Sequence, residues 1–171
     1  MDVHLNLNVR GLRPSATLAI NERCAQLRRE GREVFNLGLG QSPFPVPETV
    51  VEALRANAFQ KDYLPVKGLW SLREAVAHYH RRKHRMDCAA EDVLIGPGSK
   101  ELMFIVQLTY YGNLIIPTPT WVSYAPQAHM IGRHVHWLTT SADQGWKLTP
   151  DLLDSTCRRD PNRPRIVILN Y

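Results

Sequence analysis

Apolar residues fall along this chain in two patterns. In the first they recur at three and four residues: Ile20, Cys24 and Leu27; Val50, Val51, Leu54 and Ala58; Leu72, Ala75, Val76 and Tyr79. That spacing predicts helices with one buried face. The first helix opens at Pro14-Ser15 and stops at Gly31. The second opens at Pro47-Glu48, where proline suits a first turn and a carboxylate suits the positive end of the helix dipole. In the second pattern the apolar run is continuous, as in Val93-Leu94-Ile95, Asn113 to Ile116, His134 to Leu138 and Arg165 to Asn170. Such runs predict buried strands. Val34 to Leu39 reads as a short extended segment, and Met1 to Arg13 as an arm without period. Asp143-Gln-Gly145 is a turn and Pro150 to Cys157 a short helix. Strands and helices alternate, so the predicted class is α/β with a mostly parallel sheet.

Composition narrows the picture little. The 171 residues are 44% hydrophobic, which excludes a disordered chain, and carry a net charge of +5, which favours anionic partners. Cys24, Cys88 and Cys157 are far apart and match no zinc spacing, so no metal is expected and the thiols read as reduced, in a cytoplasmic setting. The start lacks a basic, apolar leader, and no run is long enough to cross a membrane. The most basic stretch, His78 to Arg85, reads as a solvated helix end with cations favoured near its C-terminus. Its other reading is a nucleic-acid contact, but no aromatic platform accompanies it.

Candidate chemistry concentrates after Val93-Leu94-Ile95. Gly96-Pro97-Gly98 breaks the run, and a helix continues through Met103 to Val106. A turn from strand to helix aims free N–H groups at the positive end of the helix dipole. Gly98 lets an anion come close, Ser99 offers a hydroxyl and Lys100 a charge, which suits a phosphate. The plainer reading is a strand-to-helix turn with Ser99 as its cap. Two proline-stiffened loops, 38–47 and 117–124, cannot be helical. Gly40 in the first could leave its backbone open to a small acidic group, or the loop could simply link two lobes. Trp121 in the second offers a flat face for stacking a ring, or a cap on the core. Tyr63 opens a further loop ending at Gly68.

Taken together these segments resemble the amino-terminal part of class I/II aminotransferases of the aspartate aminotransferase fold, which use pyridoxal 5'-phosphate (PLP, fold type I). The markers are Pro14-Ser-Ala-Thr17, Leu39-Gly40 with Phe44-Pro-Val-Pro47, Tyr63, Gly68 and Leu72-Arg73, Gly98-Ser-Lys100, and Pro117-Thr-Pro-Thr-Trp121-Val-Ser-Tyr124. The resemblance implies an incomplete three-layer α/β sandwich, the first part of the large domain. Residues 1–45 would be the arm and helix of the small domain, and residues 46–171 the first half of the PLP-binding domain. Gly98, Ser99 and Lys100 would hold the cofactor phosphate, Trp121 would stack on its ring, and Tyr63 would reach the phosphate of a neighbouring subunit in a homodimer. Gly40 would lie near the substrate carboxylate.

The implied reaction is transfer of an amino group from an amino acid to a 2-oxo acid. The same fold also hosts carbon–sulfur lyases, decarboxylases and acyl-transferring synthases. Lys100 falls too early to be the family's Schiff-base lysine, which is expected beyond residue 171. No catalytic residue is therefore assigned here, and the chain is expected to be a truncated, inactive and poorly soluble piece. One departure is Gly112-Asn113, where the family often has Gly-Asp.

Overall fold

The computed structural model describes residues 4–38 and 40–170. Nine elements follow in order: α1 (Ala16–Arg29), α2 (Glu48–Asn57), α3 (Trp70–His84), α4 (Ser99–Thr109), β1 (Asn113–Thr118), α5 (Tyr124–Met130), β2 (Val135–Thr139), α6 (Pro150–Arg158) and β3 (Arg165–Val167). Two compact units divide the chain, residues 1–39 with 100–171, and residues 40–99.

The first unit holds the sheet. Its strand order is β2-β1-β3 and both pairings are parallel, with Leu114 opposite Val135 and Ile166. Leu114, Ile115 and Ile116 are fully buried, as a central parallel strand covered on both faces requires. Leu114 and Ile116 form a core with Ala125, Ala128, Val135 and Ile168, against which Met103, Tyr124 and Ile166 pack. Each leucine, isoleucine or valine side chain withdrawn from water contributes about 1.5–3 kcal/mol. The β3 ladder is shorter than the expected Arg165–Asn170, although Ile168 N still donates to Ile115 O at 3.1 Å. Within the amino-terminal arm, Leu7–Val9 form a 3-10 turn that packs against α5. Val34 to Gly38 have no regular structure, and Leu39 lies outside the described residues.

Polar groups join these elements. The Arg133 guanidinium donates to the carbonyls of Gln107, Tyr110 and Gly112, placing a cation at the carboxyl end of α4 where the dipole favours it. Thr149 caps α6 by accepting from Leu152 N, and Pro150 fills the first helical position.

In the second unit, α3 packs on a 3-10 turn at Ala90–Asp92. The helix is present, but its inward face is not the predicted one. Arg73 and Ala77 are buried, whereas Leu72 and Tyr79 are 44% and 48% exposed. The reason is a side-chain tie: Arg73 Nε donates to Val93 O at 2.9 Å while its guanidinium lies 5.0 Å from the Trp70 ring centre. Val93-Leu94-Ile95 is likewise not a strand. Its backbone is extended, but its hydrogen bonds go to Arg73 and to Lys67 O, which accepts from Ile95 N at 3.0 Å. No strand pairs with it among the described residues, and Leu94 is exposed. Helix α2 forms where predicted but buries no residue.

The basic run His78 to Arg85 closes α3 as expected. Arg85 adopts a left-handed cap conformation, and Arg81 donates to Cys88 O at 2.9 Å, so part of the run holds the following loop. Among the described residues no helix is long and apolar enough to cross a membrane.

Gly112 marks the tightest backbone approach. Its φ is +135°, and an added Cβ would lie 2.3 Å from Pro164 O. Gly112→Ala should therefore cost about 2 kcal/mol or more. Urea denaturation should show a lower midpoint; an unchanged midpoint would contradict the close packing of the β1 and β3 entries.

Candidate cofactor site

Helices following parallel strands leave the carboxyl ends of those strands open, and ligands of such sheets bind there. Two loops meet at that edge here. The chain after β1 carries Trp121, whose backbone N–H donates to Asn170 Oδ1, just beyond β3, at 3.2 Å. Trp121 is 43% exposed and precedes α5 by three residues, rather than opening the helix. The peptide between Thr118 and Pro119 in this loop is cis.

Lys100 comes to the same place from the first turn of α4. Its Nζ lies 5.8 Å from the Trp121 ring centre, within range of a cation–π contact. The backbone beneath it is held by buried amides. Gln127 Nε2 donates to Lys100 O at 2.8 Å, and Gln107 Nε2 donates to Gln127 Oε1 at 3.1 Å. Both glutamines are buried, Gln107 at 1% exposure. They link α4 to α5 and so fix the start of α4 relative to the tryptophan loop. Their sequence signal was a glutamine within each of two otherwise apolar helical stretches, which periodicity alone does not weigh as chemistry.

The turn before Lys100 follows an extended segment rather than the expected strand, and Ser99 lies inside the helix instead of capping it. Ser99 is the first residue of α4, and Gly98 has φ of +135°, a conformation that favours glycine. Nothing lies within 4 Å of a Cβ built on Gly98, so its backbone is open. The Ser99 and Lys100 amides belong to the first turn of an eleven-residue helix, where N–H groups have no partner within the helix. Beside Lys100 a cavity of about 470 Å³ runs between Arg13, Pro14 and Ser15 on one side and Val122 and Pro126 on the other. Within the first unit, an ammonium and an exposed flat ring can together bind an anion joined to an aromatic system.

Gly40 and Tyr63 belong to the second unit. Both are exposed, Tyr63 completely so, and nothing lies within 4 Å of a Cβ built on Gly40. The first unit thus brings Lys100 and Trp121 together, Gly98 and Ser99 precede Lys100 directly in the chain, and Gly40 and Tyr63 are described only within their own unit.

Residues 32–171 match the family model for aminotransferase class I and II. The chain belongs to this family. It is 32% identical over 152 residues to an aspartate/prephenate aminotransferase of Thermus thermophilus, covering 86% of this chain and 40% of that one. It is 30% identical over 142 residues to a probable aspartate/prephenate aminotransferase of Rhizobium leguminosarum, covering 80% and 36%. Among solved structures, aspartate aminotransferase from Thermus thermophilus with maleate superimposes with a TM-score of 0.82 at 30% identity, over 90% of this chain and 42% of that one. This aminotransferase chain therefore spans about two fifths of the length of the relatives it matches. Its helices and small parallel sheet are a fragment of the fold type I domain.

Replacing Gln127 removes the partner of a buried amide and of Lys100 O together. Gln127→Ala should lower stability by about 1–3 kcal/mol, the cost of an unpaired buried polar group. Thermal unfolding followed by circular dichroism checks this, and a melting point equal to that of the parent would contradict the role given to the glutamine pair.

Proposed function

We propose that this aminotransferase chain is the cofactor-anchoring part of an enzyme that moves an amino group from an amino acid to a 2-oxo acid with PLP. The observation that carries the reading is the Lys100 ammonium over the exposed face of Trp121, at the first turn of α4. The residues fit the cofactor: open backbone amides, a hydroxyl and a cation suit its phosphate, and an exposed indole suits its ring. Family membership and relatives with aminotransferase names support the same reaction. On this reading residues 1–45 are the arm and helix of the small domain, and residues 46–171 the first half of the large one.

Each residue then has a physical task. Gly98, Ser99 and Lys100 hold the phosphate, and with it the register of the whole ligand. Trp121 covers one face of the ring and excludes water from it. Gln127 and Asn170 are positioning residues, holding Lys100 O and Trp121 N. Gly40 lies near the substrate carboxylate. Tyr63, fully exposed, reaches the phosphate of a second copy in a homodimer. Bound PLP supplies the electron-withdrawing ring that acidifies the α-carbon of the amino acid. Lys100 serves the phosphate rather than the covalent attachment, so the 171 residues alone hold PLP but do not turn it over. Three free thiols accord with a cytoplasmic setting.

The 171-residue chain should bind PLP reversibly in equilibrium dialysis. Trp121→Ala should weaken binding roughly tenfold, the value of a good aromatic contact. Borohydride treatment followed by peptide mapping should leave Lys100 unmodified. Binding that ignores both Trp121→Ala and Ser99→Ala, or cofactor fixed on Lys100, would overturn the proposal.

A further inference from the structure

A second cavity, of about 320 Å³, opens at the other end of the sheet. Its walls include Asn113, the first residue of β1; Arg165, the first of β3; and His134 and His136 around the start of β2. Arg159, just after α6, and Arg163 complete the set of cations. Asp160 is the only carboxylate among the lining residues. Asn113 and Thr118 are the two ends of a six-residue strand, so this cavity and the tryptophan loop are separated by roughly 17 Å.

The charges here are not balanced. Ion pairs among the described residues join Arg55 to Glu48, Lys61 to Asp62 and Arg158 to Asp154, and none of them involves the cavity. Arg165 is committed to structure, since its guanidinium donates to the carbonyls of Arg163, Cys157 and Asp160. Among the described residues the Arg163 guanidinium donates only to Asn113 Oδ1, at 3.3 Å. The Arg159 guanidinium has no hydrogen-bond partner among the described residues; its backbone N–H donates to Cys157 O. Asn113 Nδ2 faces His136 Nε2 at 2.9 Å; with Oδ1 turned to Arg163, the amide donates and the imidazole nitrogen accepts, which requires neutral His136. Burial first, and then His134, Arg165 and Arg163, push the His136 pKa below its ordinary value. The His134 and His136 rings meet edge to face with centres 4.5 Å apart.

This is a pocket walled by guanidinium and imidazole groups in which two arginines retain free donors. Guanidinium forks match the oxygens of a phosphoryl group. We propose that the cavity is a binding site for a phosphoryl group, from inorganic phosphate or a small phosphate ester, held by Arg159 and Arg163 with His134 and His136 at its floor. The site owes nothing to the PLP reading, because it uses none of the same residues and sits at the opposite strand ends.

The test is a titration of the 171-residue chain followed by the histidine ring proton signals in NMR, at fixed pH and with ionic strength held constant by chloride. Inorganic phosphate should move the His134 and His136 signals saturably while His78 and His84 stay still. Arg159→Ala, which breaks no hydrogen bond of the fold, should weaken the effect at least tenfold, and Arg159→Lys should retain most of it. Glycerol phosphate binding more tightly than inorganic phosphate would assign the site to esters, and the reverse order would assign it to the free ion. Signals that drift without saturation, or an Arg159→Ala variant that binds as the parent does, would overturn the proposal. Either result is independent of whether PLP binds near Trp121.

Discussion

Leu114, Ile115 and Ile116 are wholly withdrawn from water, and three consecutive buried residues in a strand need cover on both faces. That requirement sets much of the first unit. Strands β2 and β3 must flank β1, because a buried backbone must find its hydrogen bonds in neighbours. Helix α5 must lay Ala125 and Ala128 on the core side, where small residues let helix and sheet approach. Once β1 is fixed, both of its ends are fixed. The loop carrying Trp121 leaves one end, and Asn113 opens the other.

Polar contacts then convert this apolar frame into defined sites. The pair Gln107 and Gln127 transmits the position of α5 to the first turn of α4, through buried hydrogen bonds whose loss is costly. Asn170 reaches across from the end of β3 to the Trp121 backbone. At the other edge Asn113 bridges Arg163 and His136. The amide at position 113 is the departure from the Gly-Asp pairing often seen in the family. A carboxylate there would add a second negative charge to that of Asp160 in this cavity.

How far the sequence could be read depended on whether an element's partners were local. The run Leu114-Ile115-Ile116 was legible because burial on both faces leaves no alternation to misread. Val93-Leu94-Ile95 has the same pattern and is not a strand, because an arginine side chain and a loop carbonyl took its hydrogen bonds. In α3 the spacing identified the helix but chose the wrong face. Arg73 could bury its stem and still satisfy its head on Val93 O, which no hydrophobic count anticipates. Gly98, Ser99, Lys100 and Trp121 were legible as a turn and an aromatic loop. That Lys100 lies over Trp121, and that two glutamines hold it there, depends on contacts twenty or more residues apart in sequence.

On the proposed reading these contacts hold a cofactor, and the carboxyl edge of the sheet is where that reading can be tested. The most direct measurement is a map of backbone amide shifts in the isotopically labelled chain as PLP is added. The account predicts saturable shifts at Ser99, Lys100, Trp121 and Asn170 that weaken about tenfold in Trp121→Ala and persist in Arg159→Ala. Shifts absent from those four positions, or lost with Arg159→Ala rather than with Trp121→Ala, would contradict it.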